Sequence, residues 1–267
     1  MTNFFEGRAQ YPAFKRKHGK QSARYVGSAF DVRKDESGKR KLRLAKMPGL
    51  LKVRWSQPMK ETPSSCTVTK DAAGRYHVSF AVEKEIEPLP KRGKVGGIDL
   101  GITDVVTPSD GWKSGNPRPM KKAQKRLRRE QKALSRKQKG SNNGKRQKRR
   151  VAKAHAKVAD ARRDFQQKLT TKLVCEYDVL SVETLAVKNM MQNHCLAGAI
   201  ADVGWGEIIR QLEYKGEWYD TAVVKVNRWF PSSKRCSDCG HEADKMPLSV
   251  REWTCAECGV VHDRDHN

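Results

Sequence analysis

Acid is scarce in this chain relative to base. Its 267 residues hold 30 Asp and Glu against 55 Lys and Arg, a formal net charge of +25. That imbalance excludes the mixed-sign surface of an ordinary globular protein. It points to a polyanion partner, with nucleic acid ahead of an anionic membrane. Long apolar runs are also missing. None approaches the roughly 18–20 residues that a transmembrane helix needs. The opening MTNFFEGRAQ has neither the charged start nor the apolar centre of a signal peptide. Cysteine is sparse, with seven in all, and Cys66, Cys175 and Cys195 lie far apart with no framework spacing. A secreted disulfide fold is therefore excluded, and the usage fits a reducing cytosol with a metal site. The length leaves room for two or three compact units.

The other four cysteines are paired. Cys236-Ser237-Asp238-Cys239 is followed fifteen residues later by Cys255-Ala256-Glu257-Cys258. Two CxxC knuckles at that distance supply the four thiolates of a tetrahedral zinc site, with a hairpin between them. His262-Asp263-Arg264-Asp265-His266-Asn267 comes directly behind. Its carboxylates are hard ligands suited to Mg²⁺ or Mn²⁺, and so to a metal site of a different kind. His194 and His262 are read as structural, and neither is assigned to zinc.

Along the chain, residues 1–48 are basic with interspersed aromatics. Two readings stand equal there: a partly ordered solvated arm, and a surface that stacks on or grips RNA. Residues 50–86 alternate in the manner of antiparallel strands. CTVTK, the turn DAAG and RYHVSFAVEK predict a hairpin, and a small barrel or sheet is the expected product. EPLPKRGK reads as a linker. VGGIDLGITDVVT predicts two short apolar strands meeting at Gly101, with Trp112 beginning a third. EYDVLSVETL and AVVKVNRWF read as further strands, and residues 201–216 as one amphipathic helix. Trp205 and Trp218 are expected to be core or groove anchors. Trp229 and Phe230 are read as packing residues, with base stacking as the second reading.

Residues 118–172 carry 22 Lys and Arg against Glu130, Asp160 and Asp164, a net +19. An apolar stripe runs through them: Val151, Ala154, Val158, Ala161, Phe165 and Leu169 recur every three or four residues. Leu127 and Leu134 begin a matching stripe before SNNG. The prediction is a helical hairpin with positive outer faces. An ordinary solvated helix mixes Glu with Lys, so this imbalance points to nucleic-acid contact. The candidate contact residues are Lys121, Lys122, Lys125, Arg126, Arg128, Arg129, Arg136, Lys145, Arg146, Lys148, Arg149 and Arg150.

Three carboxylates stand out by position. Asp99 falls inside an apolar strand, where an acid is expensive unless paired or bound to metal. Glu183 ends a later strand. Asp263 and Asp265 lie just past the cysteine ribbon. Each has a plain alternative: a turn acid paired with Lys, a helix cap, or a surface acid. Converged on one sheet edge, they would repel unless divalent cations lay between them. Two Mg²⁺ about 4 Å apart suit in-line displacement at a phosphodiester.

GIDLGITD, VLSVETLAVKNM, FPSSKRCSDCG and CAECGVVHDRDHN, in this order, resemble the signature segments of the transposon-encoded TnpB (OrfB) family. That family is similar to the compact type V CRISPR effector nucleases. The resemblance implies an α/β fold, α+β overall: an RNase H-like (RuvC) nuclease domain with an inserted basic hairpin and a four-cysteine zinc ribbon, preceded by a small β-barrel-like domain. It implies catalytic metal ligands at Asp99, Glu183 and Asp265, choosing Asp265 over Asp263. It implies structural Zn²⁺ at Cys236, Cys239, Cys255 and Cys258, and Mg²⁺ or Mn²⁺ at the acids. It implies a guide RNA and target DNA as partners in a prokaryotic cytoplasm, with base pairing reading the sequence.

The implied boundaries are 1–90 for a partial wedge-type RNA-binding domain and 91–117 for the first nuclease segment. The basic hairpin takes 118–176, the second nuclease segment 177–230, the zinc ribbon 231–262 and the start of the third nuclease segment 263–267. Family members usually begin further upstream and continue past DRDxN into an Ala-rich helix, so a chain truncated at both ends is expected. The implied function is RNA-guided, metal-dependent DNA cleavage. The alternatives are a nucleic-acid-binding fragment impaired in catalysis and a strand-transfer enzyme of the transposase type.

Overall fold

The computed structural model describes residues 5–7, 11, 21–227, 229–231, 234–244, 250 and 252–263. Two compact units are present. One comprises Met1–Glu85 with Ala133–Lys153, and the other Ile86–Lys132 with Ala154–Asn267.

The first unit is built on strands β1 (Gln21–Val26), β2 (Phe30–Lys34), β3 (Arg40–Leu44), β4 (Leu51–Lys52), β5 (Ser65–Lys70) and β6 (Tyr76–Ala81). They form two three-stranded antiparallel sheets, ordered β1-β5-β6 and β2-β3-β4. Leu42 and Leu44 from one sheet and Cys66 from the other share a core with Phe30, Val32, Val68, Val78 and Phe80. Alternation along each strand sends these apolar side chains inward and the Lys and Arg between them out. The DAAG turn forms as expected: Gly74 takes φ +81°, and Asp71 accepts the Arg75 N–H at 2.8 Å. Residues 21–44 depart from the partly ordered arm. They carry three strands, because Leu42 and Leu44 find an apolar partner face that the local sequence does not reveal.

The second unit holds β7 (Val95–Asp99), β8 (Thr107–Pro108), β9 (Val179–Glu183) and β10 (Ala222–Val226) in one sheet ordered β10-β9-β7-β8. β10, β9 and β7 run parallel, and β8 is antiparallel to β7. The helices are α1 (Pro119–Ser135) and α2 (Asn142–Glu176), whose residues 133–135 and 142–153 belong to the first unit, and α3 (Val187–Met190), α4 (Ala197–Val203) and α5 (Trp205–Tyr219). Leu169, Leu173 and Tyr177 at the end of α2 and Trp205, Ile208 and Leu212 of α5 pack on Ile98, Leu180 and Val182. Each fully buried aliphatic side chain there contributes about 1.5–3 kcal/mol. No helix of the described residues is long and apolar enough to cross a membrane.

Several local expectations give way. Residues 201–216 form parts of two helices, because Gly204 adopts φ +70° between α4 and α5. A Cβ there would meet the Gln166 amide at 2.9 Å, and that amide donates to the Val203 carbonyl at 2.8 Å. Trp112 begins no strand; its ring lies under the Lys172 ammonium at 3.7 Å. Ala161 is exposed, while Ala154, Val158 and Leu169 are buried as the stripe requires. Trp205 is buried, but Trp218, Trp229 and Phe230 are not, at 47%, 81% and 46% exposed.

Candidate functional site

The GIDLG segment is held by its own loop. A Cβ on Gly101 would come within 2.6 Å of the Asp104 carbonyl oxygen, so the chain can reverse there only with glycine. Asp104 accepts the Gly115 N–H at 3.0 Å, and Asn116 donates to the Ile102 carbonyl at 2.7 Å. These bonds fix the chain that leaves β7.

Asp99 is the last residue of β7 and exposed, so its position is a strand end instead of a strand interior. Glu183 is the last residue of β9. The parallel pairing runs Val95↔Val179 to Ile98↔Val182, and Asp99 and Glu183 are the next step in that register. Ile98 and Val182 are buried. Alternation puts both acids on the opposite face, shared with Gly97 and Ser181. Adjacent strands lie about 4.8 Å apart, so the two acids stand side by side at the carboxyl edge of the sheet. A Cβ on Gly97 would meet nothing within 4 Å, so the face beside them is open among the described residues. Thr107 of β8 lies opposite Asp99, and Val226 of β10 opposite Glu183. Asp265 lies outside the described residues.

The cysteine ribbon has β11 (Glu252–Thr254) paired antiparallel with β12 (Val261–Asp263). Each CxxC ends in a left-handed glycine, Gly240 at φ +78° and Gly259 at φ +69°. Their N–H groups close the knuckles on the carbonyls of Cys236 and Cys255 at 2.9 and 3.0 Å. All four sulfurs lie within 4.8 Å of one another. Cys236 is 3.6 Å from Cys258, and Cys239 is 3.5 Å from Cys255. A tetrahedron with Zn–S of about 2.3 Å has edges of about 3.8 Å, so the donor set fits zinc.

The thiol acidities agree with that fit. Burial pushes Cys236 up, but the backbone N–H groups of Cys239 and Asp238 and the neighbouring thiols bring it down to about 6. At Cys239 the His241 N–H lowers the thiol, while burial and the thiols of Cys236, Cys255 and Cys258 together push it up to about 12. Four thiols this close ionise together only around a cation.

The sequence reading left His262 out. Its Nε2 lies 3.0 Å from the Cys236 sulfur, its ring packs against Trp253 with centroids 5.0 Å apart, and it is 6% exposed. Cys236, Asp238 and His262 form a second group of close donor atoms. Position alone could have flagged it, since His262 is four residues past the last knuckle cysteine. Its burial against Trp253 agrees with the expectation of a structural histidine, and the contact with Cys236 adds to it.

All twelve predicted contact residues, on α1, on α2 and (Arg136) in the turn between them, are exposed. The base of the hairpin is pinned by Asp202 of α4, which is 6% exposed. Its carboxylate accepts the Met120 N–H at 3.1 Å and pairs with the Arg162 guanidinium at 3.1 Å. Leu127 of α1 meets Ala154 and Val158 of α2 as the seam.

The model of OrfB_IS605, described as "Probable transposase", matches residues 77–194. That of the Cas12f1-like TNB domain matches residues 205–267. A Streptomyces pristinaespiralis protein named "Putative RNA-guided DNA endonuclease" is 46% identical over 100% of this chain and 66% of its own. InsQ of Escherichia coli (strain K12), which carries the same description, is 32% identical over 99% of this chain and 68% of its own. The chain belongs to the TnpB (OrfB) family. It spans about two thirds of the length of these curated relatives. Cas12f1, solved in a complex with sgRNA and target DNA, aligns with 100% of this chain and 73% of its own at 14% identity. The TM-score is 0.43, too low to fix the fold. The TNB match and the four-cysteine cluster fall on the same stretch, so that feature of the sequence reading holds.

Proposed function

We propose that this chain is an RNA-guided, metal-dependent DNA endonuclease with an RNase H-like (RuvC) centre. The observation that carries the proposal is the row formed by Asp99 and Glu183, which end neighbouring parallel strands on one open face. The sheet order β10-β9-β7-β8, with β8 alone reversed, supports the RNase H-like reading. Asp265 would complete the row from the segment after β12.

The donor set fits hard divalent cations, Mg²⁺ or Mn²⁺, because it consists of carboxylates at an exposed edge. Bound there, such ions supply water activation and stabilisation of the leaving oxygen in phosphodiester hydrolysis. The chain's own residues do the rest. Asp99 and Glu183 hold the negative charge fixed at the sheet edge, and the bonds of Asp104 and Asn116 keep the loop after Asp99 from moving. Cys236, Cys239, Cys255 and Cys258 would hold structural zinc. Exposed cations such as Lys121, Arg128, Lys145 and Arg150 would take the phosphates of guide RNA and target DNA.

Asp99→Ala is expected to leave RNA and DNA binding intact and abolish cleavage in Mg²⁺. Cleavage at the original rate would refute the centre. The family description "Probable transposase" favours one second reading, strand transfer by the same acids. A product assay separates them, since joined DNA ends belong to transfer and free 5′-phosphates to hydrolysis.

A further inference from the structure

The end of β10 is fastened beside the acid row. Val226 pairs with Glu183, and its carbonyl accepts the Thr184 hydroxyl at 2.8 Å. The chain then turns at once. The Asn227 carbonyl accepts the Phe230 N–H at 3.0 Å, and the Asn227 side chain accepts the Trp229 N–H at 2.9 Å. The side-chain bond is of the Asx type that asparagine makes to the backbone two residues on. Trp229 is the third residue of that turn and is 81% exposed. The same chain buries Trp205 to 1%, so its core accommodates tryptophan. The Arg235 guanidinium lies 5.4 Å from the ring centre of the next residue, Phe230.

The site is close to the acids. Three residues reach at most about 11 Å, and one strand spacing adds about 4.8 Å. The Cα of Trp229 therefore lies within about 16 Å of that of Glu183.

We propose that Trp229 is a stacking platform for a nucleobase of the single strand whose backbone is presented to Asp99 and Glu183. The proposal rests on the nuclease reading for that strand's role. Two bonds from Asn227 hold the chain at an indole that is 81% exposed on a strongly cationic protein, within about 16 Å of the row that would face the scissile backbone. Such stacking accepts any base, which suits an enzyme whose sequence reading is delegated to a guide. Trp229 is then a substrate-positioning residue.

The test uses the full chain in EDTA at roughly 50 mM salt, so cleavage does not enter. Short oligodeoxynucleotides with 2-aminopurine walked along the strand are titrated with wild type, Trp229→Ala and Trp229→Phe. Zinc content and circular dichroism check that each variant is folded. Wild type is expected to quench the probe at one position. Trp229→Ala should lose that quench and bind about tenfold more weakly, and Trp229→Phe should retain most of both. Equal quench and affinity for wild type and Trp229→Ala would overturn the proposal, as would a Phe variant no better than Ala. Absence of cleavage by wild type in Mg²⁺ would instead count against the nuclease reading alone, because the quench is read without it.

Discussion

Arg146, Arg150 and Lys153 are spaced four and three residues apart on α2 and are all exposed. They form one cationic stripe, and replacing all three with Gln removes it. Gln keeps the helix propensity of the residues lost, and exposed substitutions of this kind change stability by no more than about 0.5 kcal/mol each. Any loss of binding therefore comes from charge. Each phosphate neutralised adds about 0.9 to the slope of log K against log salt on duplex DNA, and about 0.7 on a single strand. If all three touch phosphate, the slope should flatten by about 2–3. At roughly 0.1 M salt the affinity should fall by about two to three orders of magnitude. The assay is fluorescence anisotropy of labelled RNA and duplex DNA at several salt concentrations. A triple variant with the wild-type slope on both would refute the reasoning, for the stripe would then be a solvated face.

Three further outcomes are expected. Asp202→Ala removes the carboxylate that holds Arg162 and the start of α1; it should cost about 2–3 kcal/mol in urea unfolding, with Arg162 left partly solvated, and Asp202→Asn should cost less. His262→Ala should weaken zinc about 10- to 100-fold in a chelator competition, as loss of a buried partner of a ligating sulfur does; unchanged affinity would show that its contact with Cys236 has no bearing on the metal. Asp35 is brought down to about 2 by the Ser37 hydroxyl and the Lys39 N–H, and Asp71 to about 2 chiefly by the Arg75 side chain. Depressed carboxylates stabilise the fold above their unfolded value of 3.8 and lose that contribution as pH falls through about 2. Thermal melts of Asp35→Asn and Asp71→Asn should converge with wild type across that window, and melts that stay parallel down to pH 2 would refute it.

What is legible in the sequence follows the range of the forces involved. The β5–β6 hairpin, the apolar seam of α1 and α2 and the paired cysteines were legible, because each depends on spacing within a few residues or one turn. Residues 21–44 were not, because a basic strand with two leucines becomes a strand only when another sheet covers them. The break at Gly204 escaped notice because the same apolar periodicity continues on both sides of it.

By itself the sequence determined the chemistry available: four thiolates at knuckle spacing, acids in or beside apolar strands, and a large excess of cationic side chains. Tertiary structure alone decided which of these meet. Parallel pairing put Asp99 and Glu183, 84 residues apart, in one row. It also brought His262 to Cys236 and left Trp229 in solvent while burying Trp205. Register and burial follow from which distant segments exclude water together, and no local spacing encodes that choice.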